Sequence, residues 1–367
     1  MKNAVLKTYV TSLFLSMSGL AAADEVTLDL TELSAISGFS AISGAAVSVR
    51  AGSNVTGDVA AQAAVTIGAQ SKLVSSHSAT NLFAGAAVTI GAGAEVGNIY
   101  AGAAADVAAT AKAGHIKAGA AVTTGAPAEV GDIHAGAGIT LGAGSTAQDV
   151  FAAAGITGAE VKVFNNGVVV SGNVESIGNV SSTGDTVVNA ASSLNDINIT
   201  KKLRAIQSVQ GVLFTLPASA ATDSQSYMLG TSMGSATIVT VLKPGIYEAT
   251  DLNMLASSTI IFEGDADDVW ILNISGALTI GANTTITKTP DGATVIWNVG
   301  GALNLGASTQ FAGTAIVNTS INGATSDVTC GSLYALGAVA IGGIESEGVC
   351  SFTLPNITTD ANGIVKK

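Results

Sequence analysis

Three-residue alternations of the form V-T-I recur along the first half of the chain, as in Val88-Thr89-Ile90 and Ile139-Thr140-Leu141. Two apolar side chains on one face and a hydroxyl on the other is the period-two pattern of a short, half-buried strand. The units that carry these strands repeat. From Ala84 the chain reads AGAAVTIGAGAEVGNIY, then AGAAADVAATAKAGHIK from Ala101, AGAAVTTGAPAEVGDIH from Ala118 and AGAGITLGAGSTAQDVF from Ala135, a period of 17 residues. Looser copies start at Ser43, at Ala61 with an insertion through about Phe83, and at Ala152. Such repetition predicts a solenoid, in which each layer is stable only against its neighbours. A helical repeat is excluded by the glycines, the β-branched residues and the missing 3.6 period. The seven copies would rise roughly 30 Å at ~4.8 Å per rung.

Between Leu194 and Leu216 the pattern changes. Ile199, Leu203, Ile206, Val209 and Leu213 fall on one stripe of a helix capped by Asn195 or Asp196, with Lys201, Lys202 and Arg204 facing away and Pro217 helping to stop it. After Thr237 strands return with longer turns. Val269-Trp270-Ile271-Leu272-Asn273-Ile274 is answered by Ile296-Trp297-Asn298-Val299, and GALTIG, GALNLG and GAVAIG end at Gly281, Gly306 and Gly342. Trp270 and Trp297 read as core or cap aromatics rather than a sugar platform. The expected fold is an all-β solenoid, a right-handed β-helix with one long α-helix packed along the stack. The expected division is 1–23 signal peptide, 24–190 solenoid with 17-residue repeats, 191–220 flanking helix and 221–367 second solenoid.

The run Leu242-Lys243-Pro244-Gly245-Ile246-Tyr247, then EGDADDVWILNISGALTIGANTTI, then VIWNVGGALNLGASTQFAGTAIVNTSI, resembles the microbial ice-binding family whose domain is called DUF3494. The resemblance spans about residues 238–345 and extends to Phe39–Val59, with FSAISGAAVS and VTGDV. It implies an irregular right-handed β-solenoid with a helix along it, secretion by a cold-adapted microbe, and an ice crystal surface as the partner. The 17-residue repeats have no counterpart in the compact form of that family. They resemble the short rungs of bactofilin-type solenoids, whose V-x-G-D-I phrase is approached by Glu129-Val130-Gly131-Asp132-Ile133.

A surface that adsorbs to ice must be flat, rigid, nearly uncharged and regularly spaced. The middle residues of the V-T-I strands supply one outward column: Ser48, Thr66, Thr89, Asp106, Thr123, Thr140 and Thr157, continued by Thr279 and Asn304. Thr285, Thr287, Thr309 and Thr314 offer further hydroxyls in the family-like segment. The competing explanation of the column is strand propensity, since Thr is favoured on exposed strand positions. Six residues on, Asn54, Glu95, Lys112, Glu129 and Thr146 make an ordinary solvated face.

Composition narrows the functions. Among 367 residues there are 44 glycines, 14 Lys+Arg and 26 Asp+Glu, giving a net charge of -12. Nucleic acid is therefore not an expected partner, because phosphate binding needs a basic face. Lys2 and Lys7, an apolar stretch through Leu20 and Ala21-Ala22-Ala23 read as a secretory signal peptide cleaved near Ala23. Secretion is expected, with no membrane span, and with self-association or surface attachment left open. Cys330 and Cys350, 20 residues apart and about one turn of the coil, suit a disulfide between neighbouring rungs. Gly230-Thr231-Ser232-Met233-Gly234 matches G-x-S-x-G, but the last histidine is His134, so the hydrolase order of acid then histidine is impossible. His77, His115 and His134 show no metal spacing, and Asp265, Asp267 and Asp268 lack EF-hand spacing. No enzyme, cofactor or metal is expected. The function expected is ice binding, as antifreeze or recrystallisation inhibitor; the alternative is a structural or adhesive surface solenoid that polymerises or extends a binding head.

Overall fold

The inward positions of nearly all the short strands are apolar, so each three- or four-residue strand buries one face while its backbone pairs with the coils above and below. Residues 26–28, 36, 38–73, 80–154, 156–158, 162–163, 167–169, 174–175, 198–219, 226–289, 293–323, 327–342, 357–359 and 365–366 are described by the computed structural model. They build a parallel β-solenoid with three sides: a 16-stranded sheet, a 14-stranded sheet, and a third side broken into sheets of two, four and five strands. Residues 1–23, expected as a signal peptide, and Cys350 of the expected disulfide lie outside the described residues.

The first parallel coil of the stack, from Phe39, lies in its middle. Phe39–Ser43 pairs with Asp58–Ala61 on one side and with Leu333–Ala335 on the other, and Val47–Val49 lies between Val65–Ile67 and Val339–Ile341. From this join the 17-residue rungs run outward to Val174–Glu175. The segment after the helix begins at the opposite end with Ser232–Met233 and returns to the join. Both halves therefore share continuous sheets, and neither leaves an open edge where they meet. Beyond Asp268–Ile274 the large sheet is extended by antiparallel strands Val365–Lys366, Ile357–Thr359 and Val26–Leu28.

The cross-section tapers. Near the returning end, coils of about 25 residues enclose Trp270, Trp297, Phe262 and Phe311, all fully buried, with the indole N–H groups donating to Leu242 O at 3.1 Å and Ala312 O at 3.0 Å. In the 17-residue rungs Val, Ile and Ala fill a thinner core. Expected Trp positions and structure agree here.

The helix is Ile199–Phe214, starting after Asn198, whose Oδ1 accepts the Lys201 N–H at 2.9 Å. Asn195 and Asp196 are not the cap. Its 16 residues span about 24 Å, the height of about five rungs. Ile199, Leu203, Ile206, Val209 and Leu213 pack on Ile246, Ile271, Ile296, Ile316 and Tyr334 of the 16-stranded sheet, the covered side. Polar groups fix this docking: Gln210 Nε2 donates to Val299 O (3.1 Å) and Ile316 O (3.2 Å), Asn273 Nδ2 to Leu213 O (2.7 Å), and Asn298 Nδ2 to Asn273 Oδ1 (2.8 Å). The amides of the sheet thus satisfy carbonyls of the last helical turn. Lys202 does not face away as expected; its ammonium sits 4.9 Å over the Phe39 ring.

Candidate functional site

On the 14-stranded side, which the helix Ile199–Phe214 does not cover, the outward position of each strand aligns with that of the next. The column runs Ser232, Asn253, Thr279, Asn304, Asn322, Ala340, then across the join to Ser48, Thr66, Thr89, Asp106, Thr123 and Thr140, with positions 157 and 175 next in register. Fourteen parallel positions at ~4.8 Å make a straight column roughly 60 Å long. Ser48, Thr66, Thr89, Asp106, Thr123, Thr140, Asn253, Thr279 and Asn322 are exposed, and Asn304 is half-buried against Asn322, whose Nδ2 donates to Asn304 Oδ1 at 3.0 Å. Thr279 and Asn304 therefore stand on the same column as Thr66, Thr89, Thr123 and Thr140, and Thr157 holds the next register position.

The surface beside the column is low. In the repeats, Ala46, Ala64, Ala87, Ala104, Ala121 and Gly138 stand two residues before the outward positions and Gly68, Gly91, Ala108, Gly125 and Gly142 two after, with Arg50 in the rung of Ser48; in the returning coils Ala277 and Gly281 flank Thr279 and Ala302 and Gly306 flank Asn304, whereas Asp251 and the exposed Leu255 flank Asn253. At Gly281 and Gly306 the neighbouring coil requires glycine: a Cβ there would lie 2.5 Å from the backbone N of Ala256 or Ala282. In most rungs the small flanks leave the hydroxyls and amides as the raised features.

Other expected positions separate. Thr285 lies on the third side, in register with Thr259 and Gln310, and Thr287 with Ile261. Thr309 and Thr314 are fully buried, Thr309 Oγ1 donating to Gly306 O at 2.8 Å. The wide coil cross-section turns these residues off the open side, so Thr285 does not join the column and two of the hydroxyls reach no surface. The third side of the repeats is a charge ladder, with Lys112 paired to Glu129 at 2.8 Å and Lys72 to Glu95 at 4.0 Å. Sequence reasoning missed Asn253 and Asn322, although each sits between apolar residues as Thr279 does.

The remaining titratable groups serve the coil. Asp132 N donates to His115 Nδ1 at 3.3 Å, and Asp149 N to Asp132 Oδ1 at 3.1 Å, a corner ladder continuing through Asn98 and Asn81. His134 stacks on Phe151 at 4.6 Å, and burial, with Lys117 nearby, holds its imidazole below the usual range. Asp268 is buried and accepts the Asp265 N–H at 2.6 Å, so the acidic turn is not simply solvated. Among the described residues no three His, Cys, Asp or Glu side chains are grouped to hold a metal ion, and no helix is long and apolar enough to cross a membrane.

The Ice-binding-like family model matches residues 133–346, more than half of the chain. The chain belongs to the Ice-binding-like family. The match takes in the later repeats, the helix and the returning coils, a wider span than the resemblance over 238–345. Within it lie the column positions from Ser232 to Ala340 and from Thr140 onward, whereas Ser48 through Thr123 precede it. No curated protein matches the sequence. Among solved structures, the chain is similar to an ice-binding protein from an Antarctic ascomycete, Antarctomyces psychrotrophicus, at 15% identity over 86% of this chain and 96% of that one, with a TM-score of 0.42. A glycosylated ice-binding protein from Arctic yeast is similar at 12% identity, over 86% and 90%, with a TM-score of 0.40. The Shewanella frigidimarina ice-binding protein_1 DUF3494 domain is similar at 17% identity, over 89% and 96%, with a TM-score of 0.38.

Proposed function

We propose that this protein binds ice, adsorbing through the open side without turnover or cofactor, and that it acts outside the cell as an antifreeze or recrystallisation inhibitor. Family membership supports ice as the partner. The observation that supports the face is the column, mostly of hydroxyl and amide side chains, held in one register across both halves of the stack and flanked in most rungs by Ala and Gly. Adsorption then sums many weak contacts whose geometry is set before ice is met, so little conformational entropy is lost on binding. On this reading the 17-residue rungs lengthen the face, whatever their likeness to bactofilin-type coils.

Ice growth in the presence of purified mature protein tests this. Crystals should be shaped and recrystallisation slowed; crystals that grow and coarsen as in buffer overturn the reading. Thr89→Lys and Thr279→Lys should each weaken the effect with unchanged thermal unfolding, and unchanged activity in both moves the site to another side. A second reading, end-to-end assembly, is favoured by apolar residues exposed at the terminal coil: Met228 (62%), Ile238 (69%) and Val239 (52%). Elution as a polymer rather than a monomer would support it.

A further inference from the structure

From Asn253 to Thr140 the open-side column contains eleven residues and one ionisable side chain, Asp106. It is exposed, stands in register between Thr89 and Thr123, and makes no ion pair among the described residues. Its own rung offers Ala104 and Ala108 on either side, neither able to donate from a side chain. Arg50, the charged group beside the column nearest the join, is three rungs away, roughly 14 Å and beyond the ~10 Å screening length. A carboxylate binds first-shell water by charge-assisted bonds whose directions it dictates. Pressing it against a solid that offers fixed water positions means stripping or reordering that shell, which is costly for an unpaired charge.

Resting on the ice-binding reading above, we propose that Asp106 divides the adsorbing face into two blocks and sets its effective length. The long block runs from Asn253 to Thr89; the short distal block holds Thr123, Thr140 and position 157. With the carboxylate at the boundary, the distal block engages ice poorly. Neutralising residue 106 joins the blocks into one uninterrupted column.

The test uses the full mature chain carrying Asp106→Thr or Asp106→Asn, each with and without Thr123→Ala, read by thermal hysteresis and by the concentration that halves recrystallisation. Asp106→Thr should raise hysteresis about two-fold, and Asp106→Asn should move it in the same direction. Thr123→Ala should matter little in the native chain but remove most of the gain in the Asp106→Thr background, a coupling that independent sites do not show. Thr is the better strand former, so the variants should fold, as thermal unfolding will verify. Equal activity of Asp106→Thr, Asp106→Asn and native protein overturns the division, as does an equal cost of Thr123→Ala in both backgrounds. Loss of activity in Thr279→Lys alongside an unchanged Asp106→Thr leaves the ice reading standing and removes only the division; inactivity of the native chain removes both.

Discussion

Asn298 ties the helix to the stack, and deleting its amide probes that tie. Nδ2 donates to Asn273 Oδ1 at 2.8 Å and to Gln210 O at 3.3 Å, and Asn298, Asn273 and Gln210 are all buried. Asn298→Ala leaves Asn273 Oδ1 without this donor in a site closed to solvent, at about 2 kcal/mol. The space vacated adds about 1 kcal/mol, for a total of about 3 kcal/mol. Asn298→Leu, like Asn298→Ala, removes the donor to Asn273 and the native Oδ1, a buried atom with no partner, but it fills the space, so it should cost about 1 kcal/mol less than Asn298→Ala. Urea unfolding followed by far-UV circular dichroism and by tryptophan fluorescence measures both, since Trp270 and Trp297 are fully buried in the adjoining coils. Solenoid layers unfold with their neighbours, so the fluorescence midpoint should fall by about 1 M urea in Asn298→Ala. A midpoint within about 0.2 M of native, or a larger loss in Asn298→Leu than in Asn298→Ala, refutes the reasoning.

Thr110 sits at φ 59°, a left-handed corner that Gly93 and Gly144 occupy in other rungs; Thr110→Gly should raise stability by about 1 kcal/mol in thermal unfolding, and a loss would show that the corner is not strained. At Gly125 a Cβ would come 2.8 Å from the Ala108 carbonyl carbon. Gly125→Val should therefore cost more than about 2 kcal/mol and splay the open side, lowering ice activity more than Thr123→Ala does. His134 has its pKa lowered from 6.5 chiefly by burial. The unfolded chain then takes the proton first, so stability is full above pH 6.5 and declines as pH falls toward the lower folded value. His134→Phe, which can keep the stack on Phe151, should flatten that decline in melting temperatures recorded from pH 7 to pH 5; an unchanged slope assigns it to other groups.

Alternation within each short strand told inside from outside before any coordinates. Val88, Ile90, Ile139 and Leu141 point inward and Thr89 and Thr140 outward because a strand has a period of two, a local property. The 17-residue spacing likewise set the register among Thr89, Asp106, Thr123 and Thr140, and the apolar stripe from Ile199 to Leu213 set the buried face of the helix. What local pattern could not determine is which strands are neighbours. Val47 lies beside Val339, nearly 300 residues further along, because both halves would otherwise expose unpaired edges there. Only that closure makes Ala340 and Ser48 adjacent and one column out of two. Thr285, Thr309 and Thr314 share the residue type of Thr279, yet the wide coil built around Trp270 and Trp297 decides which corner each occupies and whether it reaches solvent. Composition and period thus determined the rungs, while hydrogen bonds between distant edges decided the order in which they stack and the face they share.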